Sequence, residues 1–212
     1  MSPNCKVEKA NIRIRVVASK ITDCGTEAIV NSSNDRLILG TNTSDLIRSE
    51  AGVGIEEALS KEYMGRDKAI PIGSAIATGA FQLEGKGIYH IIHTVTVGWL
   101  DPRLPGGRIL ATPLSIFECA KNAIELADGM NIKSISFPII GARPGYTTLL
   151  CTPEATRTIA ATAMICGIKY ACLRVNNIQE VLITTSATNN NYADHDRQIL
   201  RNLILQQSDY EF

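Results

Sequence analysis

Residues 28–30, Ala-Ile-Val, form a short apolar run that ends on Asn31 and Asn34. This is the pattern of a strand buried on both faces that emerges into polar surroundings. A loop around Gly40 follows, then a hydroxyl-rich patch of Thr41, Asn42, Thr43, Ser44 and Asp45 ahead of Leu46, Ile47 and an alanine-glycine stop. Residues 27–48 therefore predict strand, loop and helix N-terminus, with Thr43 or Ser44 as the cap. Free backbone N–H groups and the positive end of a helix dipole would then lie beside two side-chain amides, which suits a phosphate and a ribose.

The rest of the chain repeats this alternation. Residues 11–18 alternate Ile12, Ile14 and Val16 with Arg13, Arg15 and Val17, the period of a half-buried edge strand. Strands are predicted over 74–79, 89–97, 134–140 and 181–185, the second for its β-branched content. Helices are predicted over 55–63, over 110–128 ended by Gly129, from Thr152 and Pro153 to Cys166 stopped by Gly167, and over 197–206. Proline- and glycine-containing connections fall at 65–73, 98–107 and 141–150, and an asparagine-rich one at 186–196. Such alternation implies α/β architecture: a three-layer α/β/α sandwich around a mixed, largely parallel sheet. Ligands of such sheets bind beyond the carboxyl ends of the strands, which directs attention to loops 32–44 and 141–150.

Composition narrows the function. A chain of 212 residues with 45% hydrophobic residues can bury one sizeable core, and one domain over residues 1–212 is expected. Lys and Arg balance Asp and Glu at 21 each, so no long-range field draws the chain to nucleic acid or an anionic membrane, and any anion must be held locally. Residues 1–10 hold no apolar signal core and no run approaches a membrane span, so a soluble, cytoplasmic protein is expected. Six scattered cysteines with no C-x-x-C pair read as reduced thiols.

Several elements together resemble the macro domain family, whose members bind ADP-ribose and in several branches hydrolyse ADP-ribose linkages. AIVNSSN at 28–34 is similar to the family's AIVNAAN; IIHTV at 91–95, SISFP at 134–138 and Ile21-Thr22 at the end of the family's GDIT follow in the same order and spacing. The resemblance covers residues 16–185. It implies binding of ADP-ribose or a related nucleotide, no cofactor, and an ADP-ribosylated protein as partner. Asn34 is then the ribose-facing residue and Asn31 a structural one. Lys20 stands where the family's aspartate contacts adenine, next to Ile21. Gly40, Thr41, Asn42 and Thr43 correspond to the GGGV loop, and Ser44 to the aspartate of hydrolytic branches, with Asp45 one residue late. Gly141, Ala142, Arg143, Pro144, Gly145 and Tyr146 correspond to the second, diphosphate-holding loop, with Tyr146 over the ribose.

These departures act physically. Side chains at Thr41, Asn42 and Arg143 narrow a backbone approach that glycines leave open. Arg143 reads in two directions, as a bidentate clamp on phosphate or as a plug in the groove. Three functions follow: a nucleotide-binding domain; a hydrolase in which Asn34 with Ser44 or Asp45 orients water and ribose; and a closed-pocket interaction or assembly module. His90 and His93, three apart on a predicted strand, point to opposite faces and cannot converge on a metal. Cys151 and Arg157 have the C-x₅-R spacing of cysteine phosphatases but lack its preceding histidine and its glycines, which makes the match a coincidence.

Overall fold

The computed structural model describes residues 12–40, 42–64, 69–99, 108–143, 147–148, 151–185 and 192–205. Among them, seven strands form one mixed sheet: β1 (Arg13–Ala18), β2 (Ala28–Asn34), β3 (Ala75–Gly79), β4 (His90–Trp99), β5 (Arg108–Ile109), β6 (Ser134–Pro138) and β7 (Glu180–Thr185). Their order is β1-β7-β6-β2-β4-β3, with β5 paired to β4. The five strands β1, β7, β6, β2 and β4 run parallel, and β3 and β5 join β4 antiparallel. The helices are α1 (Thr43–Ala51), α2 (Gly54–Met64), α3 (Pro113–Gly129), α4 (Pro153–Cys172) and α5 (Ala193–Leu205).

Side-chain alternation along the strands builds two cores. Ala28, Val30 and Ile92 point into the layer of α3, α4 and α5, where they meet Ile116, Ile124, Ala160, Ile168 and Leu200. Ile29, Ile91 and Val95 point the other way, onto Ile47 and Ala51 of α1 and Ile55 and Leu59 of α2. The expected α/β/α sandwich is thus found, with β2 in the middle and β1 at an edge. No described helix is long and apolar enough to cross a membrane.

Several predicted boundaries move, for physical reasons. β4 does not end at Val97 but runs to Trp99, because Gly98 and Trp99 pair with Ile109 and Arg108. Residues 100–107 of the expected loop lie outside the described residues. Strand β6 stops at Pro138 rather than at residue 140. α3 begins at Pro113, not Leu110: Thr112 accepts from the Ser115 backbone N–H while Ser115 accepts from the Thr112 N–H, a reciprocal cap that overrides the apolar period. Helix α4 passes straight through Gly167. A Cβ built there would lie 2.3 Å from the Phe117 carbonyl oxygen of α3, so this glycine permits two helices to touch rather than ending one. The closing helix starts at Ala193, pinned by Arg157, whose guanidinium binds the buried carboxylate of Asp196 through both oxygens and lies over the Tyr192 ring.

Candidate functional site

Because β1, β7, β6, β2 and β4 run parallel, their carboxyl ends share one edge of the sheet. Lys20 and Ile21 after β1, Asn34 and the α1 start after β2, and residues 141–143 after β6 all leave from that edge. The predicted ligand-binding residues are therefore brought to one side of the fold, as the position of ligands in open α/β sheets requires. Thr41, Gly145 and Tyr146 lie outside the described residues.

The turn after β2 is shaped by Asn34. Its Oδ1 accepts from the backbone N–H groups of Arg36 and Ile38, 3.1 and 3.3 Å away, and its Nδ2 donates to the Ile38 carbonyl at 2.7 Å. One amide thus closes a four-residue turn, and its remaining N–H is the only donor left for a ligand. Leu37, in the left-handed region with φ 56°, drops its side chain into the core from this turn.

The start of α1 departs from the predicted cap. Asn42 is the cap residue, with φ 59° and ψ −117°, and its side chain makes no capping hydrogen bond. Thr43 is already helical, and Ser44 turns inward, donating to Asn31 Oδ1 at 2.7 Å and approaching the Ser32 carbonyl at 3.3 Å. By contrast, α3 and α4 are capped by the Thr112 and Thr152 hydroxyls. The first N–H groups of α1 thus keep the donor capacity and partial positive charge that attract an anion. Asn42 retains a backbone conformation natural to glycine, so the loop keeps a glycine-like path despite carrying a side chain.

Beneath this start runs a buried polar chain. Since Asn31 Oδ1 accepts from Ser44, its Nδ2 faces His93 Nδ1 at 3.2 Å. His93 Nδ1 is then the acceptor, and Nε2 carries the proton toward Thr78 Oγ1 at 3.0 Å, a tautomer assigned from the network. Complete burial pushes the His93 pKa down to about 3, so the ring is neutral at physiological pH. His90 lies on the opposite face of β4, as alternation predicts. Asn31 is structural, as expected, and in this chain it couples α1 to β4 and, through His93, to β3. The sequence could show the alternation of the two histidines but not the burial of one.

The other candidates are placed as follows. Lys20 is exposed and Ile21 buried, at the start of a 3₁₀ turn over residues 21–23. Gly40 is exposed, with nothing within 4 Å of a notional Cβ. Asp45 is exposed and ion-paired with Arg48 one turn on. Gly141 has φ 71°, and a Cβ there would meet Ile116 Cδ1 at 2.4 Å, so the second loop leaves β6 tightly against α3. Ala142 is buried and Arg143 exposed. Cys151 is exposed, and Arg157, its partner in the phosphatase-like spacing, is held by Asp196. No group of three or more His, Cys, Asp or Glu able to hold a metal occurs among the described residues.

Sheet order and loop placement together define an α/β/α sandwich whose candidate site lies at the carboxyl edge of its parallel strands. The macro domain family model matches residues 30–149, and the chain belongs to that family. A macro domain-containing protein of Caldanaerobacter subterraneus is 31% identical over 60% of this chain and 67% of its own length. The O-acetyl-ADP-ribose deacetylase of Salmonella typhimurium is 30% identical over 70% and 78%. Among solved structures, a glycine-to-valine variant of the Oceanobacillus iheyensis macrodomain with ADPR superposes with a TM-score of 0.67 at 26% identity, covering 89% of this chain and 92% of that one. The same macrodomain with ADP gives 0.65 at 26% identity, over 90% and 91%.

Proposed function

We propose that this chain is a binding module for ADP-ribose or a closely related nucleotide, with the diphosphate seated on the N-terminus of α1. The observation that carries the reading is the α1 start. Its cap residue Asn42 gives it no side-chain hydrogen bond and keeps a glycine-like turn, and the Ser44–Asn31 hydrogen bond anchors it to the central strand. Its amides are pre-positioned for a ligand phosphate, so little ordering cost falls on binding. The remaining Asn34 N–H reaches toward a ribose hydroxyl. Lys20 offers a donor, not an acceptor, to a base. Arg143 is exposed, in keeping with an arginine that reaches a phosphate rather than one that fills the groove.

The deacetylase relative favours a second reading, cleavage of ADP-ribose esters or linkages. We rank it below binding because Ser44, which stands in the place of the hydrolytic branches' aspartate, faces inward and the Asp45 carboxylate pairs with Arg48. An ADP-ribosylated protein partner and a reducing, cytoplasmic setting complete the proposal; the latter accords with free thiols at Cys24, Cys119, Cys151, Cys166 and Cys172. Titration calorimetry with ADP-ribose, followed by incubation with O-acetyl-ADP-ribose, tests both readings. Saturable heat with no acetate release is expected. Absence of heat at millimolar ligand from a folded sample would overturn binding, and turnover would promote the enzyme reading.

A further inference from the structure

Among the described buried side chains, only the hydroxyls of Thr22 and Ser33 lack a hydrogen-bond partner. Thr22 lies in the three-residue 3₁₀ turn after β1, an element too short to hold an anion at its own start. Ser33 is different. Its residue is 6% exposed, in the last part of β2. The two-residue period of a strand puts Ser33 on the face of Ile29 and Asn31, the face that carries α1. Asn31 accepts from Ser44 of α1, and Ser44 also reaches the Ser32 carbonyl, which belongs to the peptide joining Ser32 to Ser33. Ser33 is therefore the next residue along this face, one strand period of about 6.6 Å nearer the carboxyl edge from which α1 also sets out.

The neighbouring polar groups are satisfied, which makes the orphan specific. At the irregularity between Ser33 and Asn34, where the register on β4 jumps from Val95 to Val97, Thr96 donates to the Ser33 carbonyl and bonds the Ser32 hydroxyl at 2.9 Å. Asn34 is engaged by its own turn. Only the Ser33 hydroxyl is left without a partner in this cluster, and a buried unpaired hydroxyl costs stability unless something else supplies the bond.

We infer that Ser33 is a ligand-contacting residue whose hydroxyl donates to a phosphate oxygen of the nucleoside diphosphate held at the start of α1. The inference rests on the binding reading above and adds to it a side-chain donor besides the backbone amides. The ligand it fits is a diphosphate with a charged oxygen directed at the α1 face of β2, where an ionised acceptor strengthens the bond.

The test is Ser33→Ala, with Ser33→Cys as a same-sized variant that keeps only a weak donor, in the full chain. Wild type is titrated first with ADP-ribose and with ADP. If it binds neither, the binding reading and this inference fall together. If it binds, Ser33→Ala is expected to weaken both ligands by about tenfold, since a hydrogen bond to a charged group is lost. The same variant without ligand should melt about 2 °C higher, because an unsatisfied buried hydroxyl is removed. Ser33→Cys should weaken both ligands as well. Affinities within twofold of wild type in both variants would overturn the inference while leaving the binding reading intact. Weakening of ADP-ribose alone would overturn the assignment to the diphosphate. Weaker binding accompanied by a lower melting temperature in both variants would show a structural role, and overturn it too.

Discussion

The two faces of the sheet are built on different rules. Under α3, α4 and α5 the core is aliphatic and alanine-rich, with Ala120, Ala123, Ala127, Ala160 and Ala161 allowing helices to approach closely. Under α1 and α2 the core is interrupted by Asn31, His93 and Ser44, bonded in series and ending on Thr78. Shape complementarity fixes the first face, and a mistake in volume is felt at once. Directional hydrogen bonds fix the second, and a mistake in protonation or partner is felt instead. The site lies where the second face reaches the carboxyl edge, so its geometry inherits a dependence on this hydrogen-bonded chain.

The sharpest way to break this contrast is Gly167→Ala. On an exposed helix this change would favour folding by about 1 kcal/mol through helix propensity. Here the new Cβ would sit 2.3 Å from the Phe117 carbonyl oxygen and 3.1 Å from Ala120 Cβ. Backbone cannot rotate away as a flexible side chain can, so α3 and α4 must separate. A loss of about 3 kcal/mol is expected from a urea midpoint, large for an added methyl group. A midpoint equal to wild type would mean that the α3–α4 contact is looser than the packing rule demands.

How much of this was legible in the sequence follows the same division. The run Ala28, Ile29, Val30 announced the central strand correctly, because burial on both faces leaves a continuous apolar signature. Alternation of elements gave the three layers for the same reason. Gly167 reads as a stop in the sequence, since composition cannot tell a glycine that ends a helix from one that lets a neighbour's carbonyl approach. Leu110 extends the helical period by its apolarity, while the Thr112–Ser115 cap that starts α3 later depends on geometry that period does not encode. At the site, the position of Asn34 was readable, but the use of its amide by residues 36–38 was not. Nor could the sequence show that Ser44 turns inward or that Ser33 has no partner, because both facts depend on which side chains surround them.

The polar face makes its own prediction about pH. His93 is neutral when folded, with a pKa near 3, whereas in the unfolded chain it titrates near the ordinary 6.5. A base whose folded pKa is depressed binds more protons when unfolded. Its contribution is therefore fully present above pH 6.5 and is lost progressively as pH falls toward 3. The slope is about 1.4 kcal/mol per pH unit within that window, or about 2 kcal/mol between pH 6.5 and pH 5. His93→Gln, which keeps a neutral polar group in the chain, should be less stable at pH 7.5 but should lose this part of the acid dependence. Urea midpoints at pH 7.5, 6 and 5 for both proteins check it. Parallel slopes in the two would show that the ring is protonated or hydrated inside the fold, against its burial.

The smallest expected effect concerns the loop that joins the polar face to the site. Asn42 holds φ 59° and ψ −117°, a conformation that costs an L-residue about 1 kcal/mol or more, and its side chain makes no capping bond in return. Asn42→Gly should relieve that strain, although glycine also gains freedom in the unfolded chain, which offsets part of the gain. A net stabilisation of about 0.5 kcal/mol is expected, near the limit of what a denaturation midpoint resolves. On the apolar face the equivalent experiment, adding or removing one side chain at a helix contact, moves stability several times as far. If Asn42→Gly instead destabilises the chain, the Asn42 side chain must hold the loop through a contact that outweighs its backbone strain. The turn would then be specified by that side chain, and the glycine-like path would be a consequence rather than the cause of the α1 geometry.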